Sequence, residues 1–178
     1  MGFASSSGIR LLSWFFLHPS KKVHFRELCR ELDFSPLTVK TYCDEFVSKG
    51  WLNEERLANL RLFRLNNEDY VVKAMKRAFF ISRLKEAKAE QLVEEGIISF
   101  ALYGSHASGE YDEKSDVDLL IVGRREQFKH ERVKQLEKKL GKEIQATIFS
   151  LEQWESAKKE SFGGSVLHSH VLLSGVPL

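Results

Sequence analysis

A chain of 178 residues with 43% hydrophobic side chains and a formal net charge of +2 can build one large core or two small ones. Its longest apolar run covers only the seven positions Leu11–Leu17, whereas a membrane-spanning helix needs roughly 20. No signal-peptide pattern opens the sequence. The two cysteines, Cys29 and Cys43, lack CxxC spacing. We therefore expect a reduced, cytoplasmic protein with no membrane partner.

Charge and turn signals divide the chain into three zones. Residues 1–66 alternate short helical patterns with turns and carry ten Lys/Arg against seven Asp/Glu, an excess that permits contact with nucleic acid without requiring it. Residues 67–95 contain no Pro or Gly, and their helical periodicity predicts a packing helix that links two domains. Residues 96–178 read strand, loop, strand, helix, strand, helix. The predicted fold class is α+β.

The N-terminal zone contains a closely spaced series of predicted elements. Ser35 is a good helix N-cap, and Pro36 suits the first helical turn, where its missing N–H costs nothing. The predicted elements are a helix ending at Pro19, a strand at 23–25, a helix at 26–32, a helix from Pro36 to Gly50, and two hairpin strands at 51–56 and 60–65.

This order of elements resembles the winged helix-turn-helix of MarR- and ArsR-like regulators. In that family the helix after the turn enters the major groove of DNA, and the hairpin contacts the backbone or minor groove. The resemblance implies a duplex-DNA-binding module, for which a homodimer is the default. Winged helices also dock proteins, and Asp44 and Glu45 would repel phosphates, so both interpretations stay open. The implied DNA-facing residues are Ser35, Leu37, Thr38, Lys40 and Thr41 on the helix and Arg56, Arg61 and Arg64 at the hairpin.

A Gly-Ser turn in the C-terminal zone is the first part of a predicted phosphate site. A β-favouring run at 97–103 leads into Gly104 and Ser105. Because Gly104 has no Cβ, the backbone can approach a phosphate closely, while Ser105 offers a hydroxyl and an N–H. A helix beginning here would add free N–H groups and a partial positive charge. His106, in the same turn, is a weaker candidate for a nucleotide contact.

Two aspartates form the second part of this predicted site. Asp116 and Asp118 are two positions apart in a predicted strand, so both carboxylates project from one face while Val117 and Leu119 point into a core. Paired carboxylates suit Mg²⁺, which also binds the phosphates of a nucleotide. A turn that holds a triphosphate beside a pair that holds the metal predicts transfer of a nucleotidyl group.

Gly-Ser followed eleven residues later by Asp-x-Asp resembles the signature of the DNA polymerase beta superfamily. The fuller pattern, Gly-Ser-x-Ala-x-Gly and then Ser-Asp-x-Asp-Leu, is most similar to the minimal nucleotidyltransferases of bacteria and archaea, over about residues 97–155. The resemblance implies a mixed β-sheet with flanking helices. It implies Mg²⁺ held by Asp116 and Asp118, and a nucleoside triphosphate, ATP foremost, bound at Gly104, Ser105 and Ser115.

Two positions depart from that pattern. Ser108 stands where many members have Arg, which removes a phosphate contact. Catalytic members add a third carboxylate from a neighbouring strand, predicted here at 142–149, and Gln145 stands at the expected position. Glutamine can neither act as a general base nor add negative charge. Glu143, two residues earlier on the same strand face, is the candidate that would complete a catalytic set with Asp116 and Asp118.

The sequence leaves three functions open. One is a Mg²⁺-dependent nucleotidyltransferase with a protein, nucleic-acid or small-molecule acceptor. Some minimal nucleotidyltransferases are antitoxins that modify HEPN-domain toxins, and a fused DNA-binding module would suit an autoregulated toxin–antitoxin pair. The second is a transcriptional regulator that senses nucleotide through a catalytically impaired domain, and Gln145 separates it from the first. The third is an assembly module in which both domains dock partners.

Overall fold

The computed structural model describes residues 6–178, and the first five residues of the predicted 1–66 domain lie outside the described part. The chain divides into two compact units. Unit 1 ends at Phe79, and unit 2 comprises Phe80–Leu178. The boundary between them falls inside the long helix α4 (Tyr70–Glu86), within the zone for which the sequence predicts a linking helix.

Unit 1 has local start signals at two of its helices. Ser6 accepts a hydrogen bond from the Ile9 amide at 3.3 Å, and Ser35 accepts one from the Thr38 amide at 3.1 Å. Asp33 adopts a left-handed conformation at the end of a helix, with φ 52°. Before α4, the elements are α1 (Ser7–Leu17), β1 (Val23–His24), α2 (Phe25–Leu32), α3 (Pro36–Ser48), β2 (Leu52–Leu57) and β3 (Leu60–Leu65).

A three-stranded antiparallel sheet of order β1-β3-β2 closes unit 1. The helices cover it with a core that includes the fully buried Phe15, Leu28, Val39 and Phe63. Cys43 lies in the same core, where burial raises the pKa of its thiol to about 12. This thiol is therefore a protonated core group at neutral pH.

Unit 2 is built on a four-stranded mixed sheet of order β6-β5-β4-β7. The strand β5 is antiparallel to β4 and parallel to β6, and β4 is antiparallel to β7. Following α4, the elements are β4 (Ser99–Tyr103), α5 (Gly104–Ser108), β5 (Val117–Val122), α6 (Val133–Leu140), β6 (Ile144–Phe149), α7 (Leu151–Ala157), α8 (Ser161–His168) and β7 (Val171–Gly175).

The two faces of this sheet have different environments. One face, with Phe100, Leu102, Leu119 and Ile121, packs into the core that contains the buried residues of α6. The other face is covered only at one end, where Leu120 and Val122 pack with Trp154 of α7 and Val166 of α8. The opposite end of this face carries polar residues, among them Asp118.

Helices and mixed sheets together confirm the predicted α+β class. Among residues 6–178, no helix combines the length and the apolar character that crossing a bilayer requires.

The Ser35 cap yields a stability prediction for unit 1. We expect Ser35→Ala to lower the free energy of unfolding by about 1 kcal/mol, because the Thr38 amide at the start of α3 loses its acceptor. Chemical denaturation followed by circular dichroism measures the change. Thr41→Ala is the matched control, since the Thr41 hydroxyl bonds only the Leu37 carbonyl inside the helix. Equal losses in the two variants would contradict a capping role.

Candidate functional site

The Gly-Ser turn lies where β4 ends and α5 begins. Gly104 has φ +70°, and a Cβ at this position would collide with the carboxylate of Asp118. Only glycine can therefore occupy the turn without moving that aspartate. The Ser105 backbone carbonyl accepts hydrogen bonds from the Glu110 amide at 2.9 Å and the Ser108 hydroxyl at 3.2 Å, which fixes the turn.

The two aspartates lie beside this turn. Asp118 belongs to β5 and is paired in register with Tyr103 of β4 on one side and Gln145 of β6 on the other. Asp116 immediately precedes β5. Partial burial, and then the negative charge of Asp116, raise the pKa of Asp118 above its usual value. A bound cation would stabilise the ionised form of Asp118 beside the second carboxylate.

Gln145 lies beside both aspartates, on the neighbouring strand β6. Its Nε2 donates a hydrogen bond of 2.7 Å to Oδ2 of Asp116. The amide thus occupies one oxygen of a predicted metal ligand with a neutral donor. Glu143 lies just outside β6, with an exposed side chain and a backbone carbonyl that accepts the Val117 amide at 2.9 Å. The pKa of Lys134 is raised mainly by its hydrogen bond to Glu137, and the charge of Glu143 adds a small further contribution.

His106 supports the site from within the core. The ring is fully buried, and Nδ1 donates to the Asp116 carbonyl at 2.9 Å. It stacks on Tyr111 with ring centroids 4.5 Å apart and planes at 9°. This buried position differs from the nucleotide contact suggested by the sequence, because the turn directs residue 106 inward. The ring therefore positions the backbone of Asp116.

A second set of contacts holds the loop before Asp116. The Ser115 hydroxyl donates to Asp112 Oδ1 at 3.0 Å and accepts the Asp112 amide at 2.9 Å. Lys142 Nζ donates to the carbonyls of Asp112 and Glu113 at 2.8 and 2.6 Å. Ser115, predicted to contact nucleotide, thus makes its hydrogen bonds within its own loop.

Tyr103 and Thr147 extend the polar end of the sheet face that carries Asp118. Their hydroxyl groups share a hydrogen bond of 3.1 Å, and both side chains are half-buried. Sequence reasoning missed this pair and the tie from Lys142, because both depend on strand register. A period-2 count from Gln145 along β6 would have placed Thr147 on the site face.

The cationic residues predicted to face DNA are largely held in ion pairs within unit 1. Arg61 donates to Asp44 at 2.5 Å and to Glu54 at 2.8 Å, and these partners raise its pKa. Lys40 pairs with Asp44 at 3.0 Å, and Arg56 pairs with Glu54 at 3.0 Å.

The remaining members of the predicted DNA-facing set are mostly polar or exposed. Ser35 and Thr38 share a hydrogen bond of 2.8 Å at the start of α3, and Arg64 is exposed on β3. Together α3, β2 and β3 contain four Lys or Arg residues and four Asp or Glu residues. The surface is therefore close to neutral, and its electrostatic attraction for phosphates is weak.

Within the described residues, no group of three or more His, Cys, Asp or Glu side chains could hold a metal ion. The Asp116 and Asp118 carboxylates nevertheless match the one or two carboxylates by which Mg²⁺ is usually held when substrate phosphates complete its shell. The donor chemistry of this pair, beside a turn open to backbone approach, fits a nucleotide-bound Mg²⁺.

Comparison with known families agrees with this geometry. A family model described as the nucleotidyltransferase domain matches residues 66–167, which is more than half of the chain and includes the Gly104 turn, both aspartates and Gln145. No curated protein matches the chain.

The raised pKa of Asp118 predicts how stability depends on pH. The pKa of Asp118 is higher in the folded chain than in the unfolded chain. Its protonated form therefore adds to the free energy of unfolding below the unfolded-state pKa, and this contribution is lost as the pH rises through the folded-state pKa. We therefore expect Asp118→Asn to raise the thermal midpoint at pH 7, and the gain to shrink as the pH falls toward about 4.

Asp112→Asn is the opposite-sign control for this measurement. Hydrogen bonds from the Lys114 amide and the Ser115 hydroxyl lower the pKa of Asp112, so its ionised form stabilises the fold above its unfolded pKa. This variant is expected to lower the midpoint at pH 7. Thermal unfolding of both variants across pH checks the pair, and a lowered midpoint for Asp118→Asn at pH 7 would refute the stated origin of its shift.

Proposed function

This chain belongs to the nucleotidyltransferase domain family, and we propose that it transfers the nucleoside monophosphate of ATP to an acceptor in a Mg²⁺-dependent reaction. The observation that carries the proposal is the close approach of the Gly104 backbone to the Asp118 carboxylate. It puts a phosphate-accessible turn against a carboxylate pair that favours a cation. The acceptor we favour is a protein, and a HEPN-type toxin fits the resemblance to minimal nucleotidyltransferases.

Each residue of the site has a separate role in this proposal. Gly104 and Ser105 bind the triphosphate through the backbone N–H and the Ser105 hydroxyl, which makes no hydrogen bond with another described residue. Asp116 and Asp118 would hold Mg²⁺, which when bound neutralises charge on the phosphate oxygens. His106 and Lys142 fix the backbone around Asp116. Tyr103 and Thr147 offer hydroxyl groups at the same end of the sheet.

In the proposed step, an acceptor hydroxyl oxygen attacks the α-phosphorus of ATP. A new P–O bond forms, the bond from the α-phosphorus to the bridging oxygen breaks, and pyrophosphate leaves with that electron pair. The hydroxyl proton passes to an oxygen of Asp116 or to solvent, because the Gln145 amide cannot accept it as a base. The chain's contribution is mainly positioning and charge stabilisation.

Gln145 supports an alternative function, a catalytically impaired domain that senses nucleotide for a transcriptional regulator. The amide donates to Asp116 at 2.7 Å, and so it holds one metal ligand in place without supplying negative charge or a base. Binding of a nucleotide needs the turn and the aspartate pair, whereas fast transfer also benefits from a third carboxylate. Glu143 would serve as that third group only if its side chain moved from the solvent to the metal.

We also propose that unit 1 is a winged helix-turn-helix module that contacts duplex DNA. The supporting observation is the succession of α2, a left-handed Asp33, the capped α3 and the β2–β3 hairpin. Because Arg61 and Lys40 are engaged by acidic partners, contact would rely on the Ser35, Thr38 and Thr41 hydroxyls and on Arg64. Such binding would be modest and would depend on base or shape readout rather than on charge.

The aspartate pair gives a prediction for nucleotide binding. We expect ATP with Mg²⁺ to bind in isothermal titration calorimetry, and Asp116→Ala and Asp118→Ala to weaken binding at least about tenfold by removing a metal ligand. Glu152→Ala is the matched control, since Glu152 is an exposed acid of α7 outside this site. Absence of binding in the wild-type chain for all four common triphosphates would refute the nucleotide site.

Variants at position 145 distinguish nucleotidyl transfer from nucleotide binding. With ATP labelled at the α-phosphate and a cell lysate as acceptor source, we expect label transfer that Asp116→Ala abolishes. Gln145→Glu should raise the rate, by about 10²-fold if the carboxylate acts as the base, whereas Gln145→Ala should not. Transfer in Gln145→Glu alone, with binding intact in the wild type, would favour the nucleotide-sensing alternative.

The ion pairs of unit 1 give a prediction for DNA binding. Of the four cations of α3, β2 and β3, Arg64 alone forms no ion pair with another described residue, so the logarithm of affinity for duplex DNA should fall with the logarithm of salt concentration with a slope of about −1. Glu54→Gln should release Arg56, whose ion pair within the described residues is with Glu54, and so should tighten binding and steepen the slope by about 0.9. Fluorescence anisotropy over a salt series measures both, with Glu31→Gln as a control for loss of a carboxylate. Salt-independent retention of duplex would contradict the proposal.

A further inference from the structure

The sheet of unit 2 ends in an edge whose backbone groups point outward. The Val117 amide donates to the Glu143 carbonyl, and the Gly123 amide donates to the Phe149 carbonyl, both at 2.9 Å. Since alternate residues of a strand direct their N–H and C=O to opposite sides, the odd-numbered residues of β6 face β5. The backbone N–H and C=O groups of Ile144, Ala146 and Ile148 therefore point away from β5, toward the open edge of the sheet.

Two of these three residues offer unused hydrogen-bonding groups. Glu137 accepts the Ile144 amide at 3.1 Å. Within residues 6–178, no residue bonds the outward N–H and C=O of Ala146 and Ile148. A strand edge of this kind can pair with another extended chain.

The edge at β6 lacks the features that usually prevent such pairing. Its six residues, Ile144–Phe149, include no charged residue, proline or glycine, and their register with β5 runs without a shift. The opposite edge, β7, contrasts with it, because its pairing with β4 shifts between Phe100 and Ala101 and β7 ends at Gly175. Bulges and irregularities of that kind discourage pairing, so β6 is the open edge of the sheet.

A groove of about 820 Å³ runs beside this edge, with a basic wall. Ala146 and Ile148 line it together with the apolar Ile98 and Leu151, and its charged lining includes Arg124 and Arg125. Neither arginine forms an ion pair or a side-chain hydrogen bond to a carboxylate in the described part of the chain. His130 and one acid, Glu126, also line the groove, so its charge favours an anionic occupant.

We propose that this groove binds an extended acidic segment of a partner protein, which adds as a fifth strand beside β6. The segment's backbone pairs with the free groups of Ala146 and Ile148. Its apolar side chains rest on the apolar lining, and its carboxylates bind Arg124 and Arg125 in the bidentate geometry that guanidinium groups favour. We assign an acidic occupant because neither arginine has an acidic partner among residues 6–178.

A second copy of this chain fits the groove less well than an acidic segment. Antiparallel pairing of two β6 strands about Ala146 would place Ile144 of one copy opposite Ile148 of the other. The Ile144 amide is already bonded to Glu137, so each copy would lose that bond or leave a pairing group unsatisfied. The β6 strand also brings no carboxylate to neutralise the arginines.

The groove is separate from the aspartate site. Gly123, which lines the groove, follows the last residue of β5, whereas Asp118 lies near its first residue. Five residues of strand place these two positions about 16 Å apart. Ala146 also lines the groove and follows Gln145 in β6, but successive residues of a strand direct their side chains to opposite faces, so Ala146 projects from the face away from the aspartates. A partner segment can therefore bind at β6 whether or not the proposed nucleotidyl transfer occurs, and the two proposals fail independently.

The test uses a fluorescent peptide of about seven alternating glutamate and valine residues and the purified full chain. We expect saturable binding by fluorescence anisotropy. The same peptide N-methylated at alternate amides, which keeps its charge but cannot pair as a strand, is expected to bind at least about tenfold more weakly. A peptide with lysine in place of glutamate is expected not to bind. Equal binding of the N-methylated peptide would overturn strand addition.

Chain variants test the two halves of the proposal separately. Replacing Arg124 and Arg125 together with alanine should weaken the acidic peptide about fivefold to tenfold. Alanine at Lys138 and Lys139, two cations of α6, is the matched control and should leave affinity unchanged. Unchanged affinity in the arginine variant would overturn the acidic preference. A concentration-dependent dimer, seen by size-exclusion chromatography with light scattering, whose formation blocks binding of the acidic peptide would assign the edge to a second copy instead and overturn the proposal.

Discussion

The contact between the Gly104 backbone and the Asp118 carboxylate is the constraint on which the site depends. It exists because β4 and β5 pair in a register that puts Tyr103 opposite Asp118, so that the residue after the strand must turn directly over the aspartate. A side chain at position 104 would displace the carboxylate. The supporting contacts, from the buried His106 ring to the Lys142 tie, hold the backbone on the other side of the same pair. The site is thus made by strand register and by one missing side chain.

The order of the elements and the centre of the site could be predicted from the sequence, because they depend on local signals. Ser35 and Pro36 mark the start of α3, and the alternation around Asp116 and Asp118 marks the start of a strand at which the polar residues share one face. The contacts between strands could not be predicted in this way. The bond from Gln145 to Asp116 and the pair formed by Tyr103 and Thr147 require the parallel register of β5 and β6, which no local pattern specifies.

The charged residues of unit 1 show a second limit of sequence reasoning. Residue type alone suggests that Arg56, Arg61 and Lys40 are free cations, whereas each is paired with a carboxylate brought in by the fold. Asp44, one of the acids that weaken the predicted attraction for phosphate, also joins α3 to the hairpin through Arg61. His106 illustrates the reverse case, since a polar residue in a functional turn proves to be a core group. In both cases tertiary packing decides whether a polar side chain is available to a ligand.

The residue that donates a hydrogen bond to Asp116, Gln145, can be changed to glutamate by a single base substitution. Glutamine and glutamate codons differ at the first base only, so one nucleotide substitution exchanges the amide for a carboxylate. The neighbouring contacts, the register with Asp118 and the backbone support from His106, do not depend on which of the two is present. One nucleotide substitution therefore separates this site from one with three carboxylates, at the cost of the hydrogen bond that the Gln145 amide donates to Asp116.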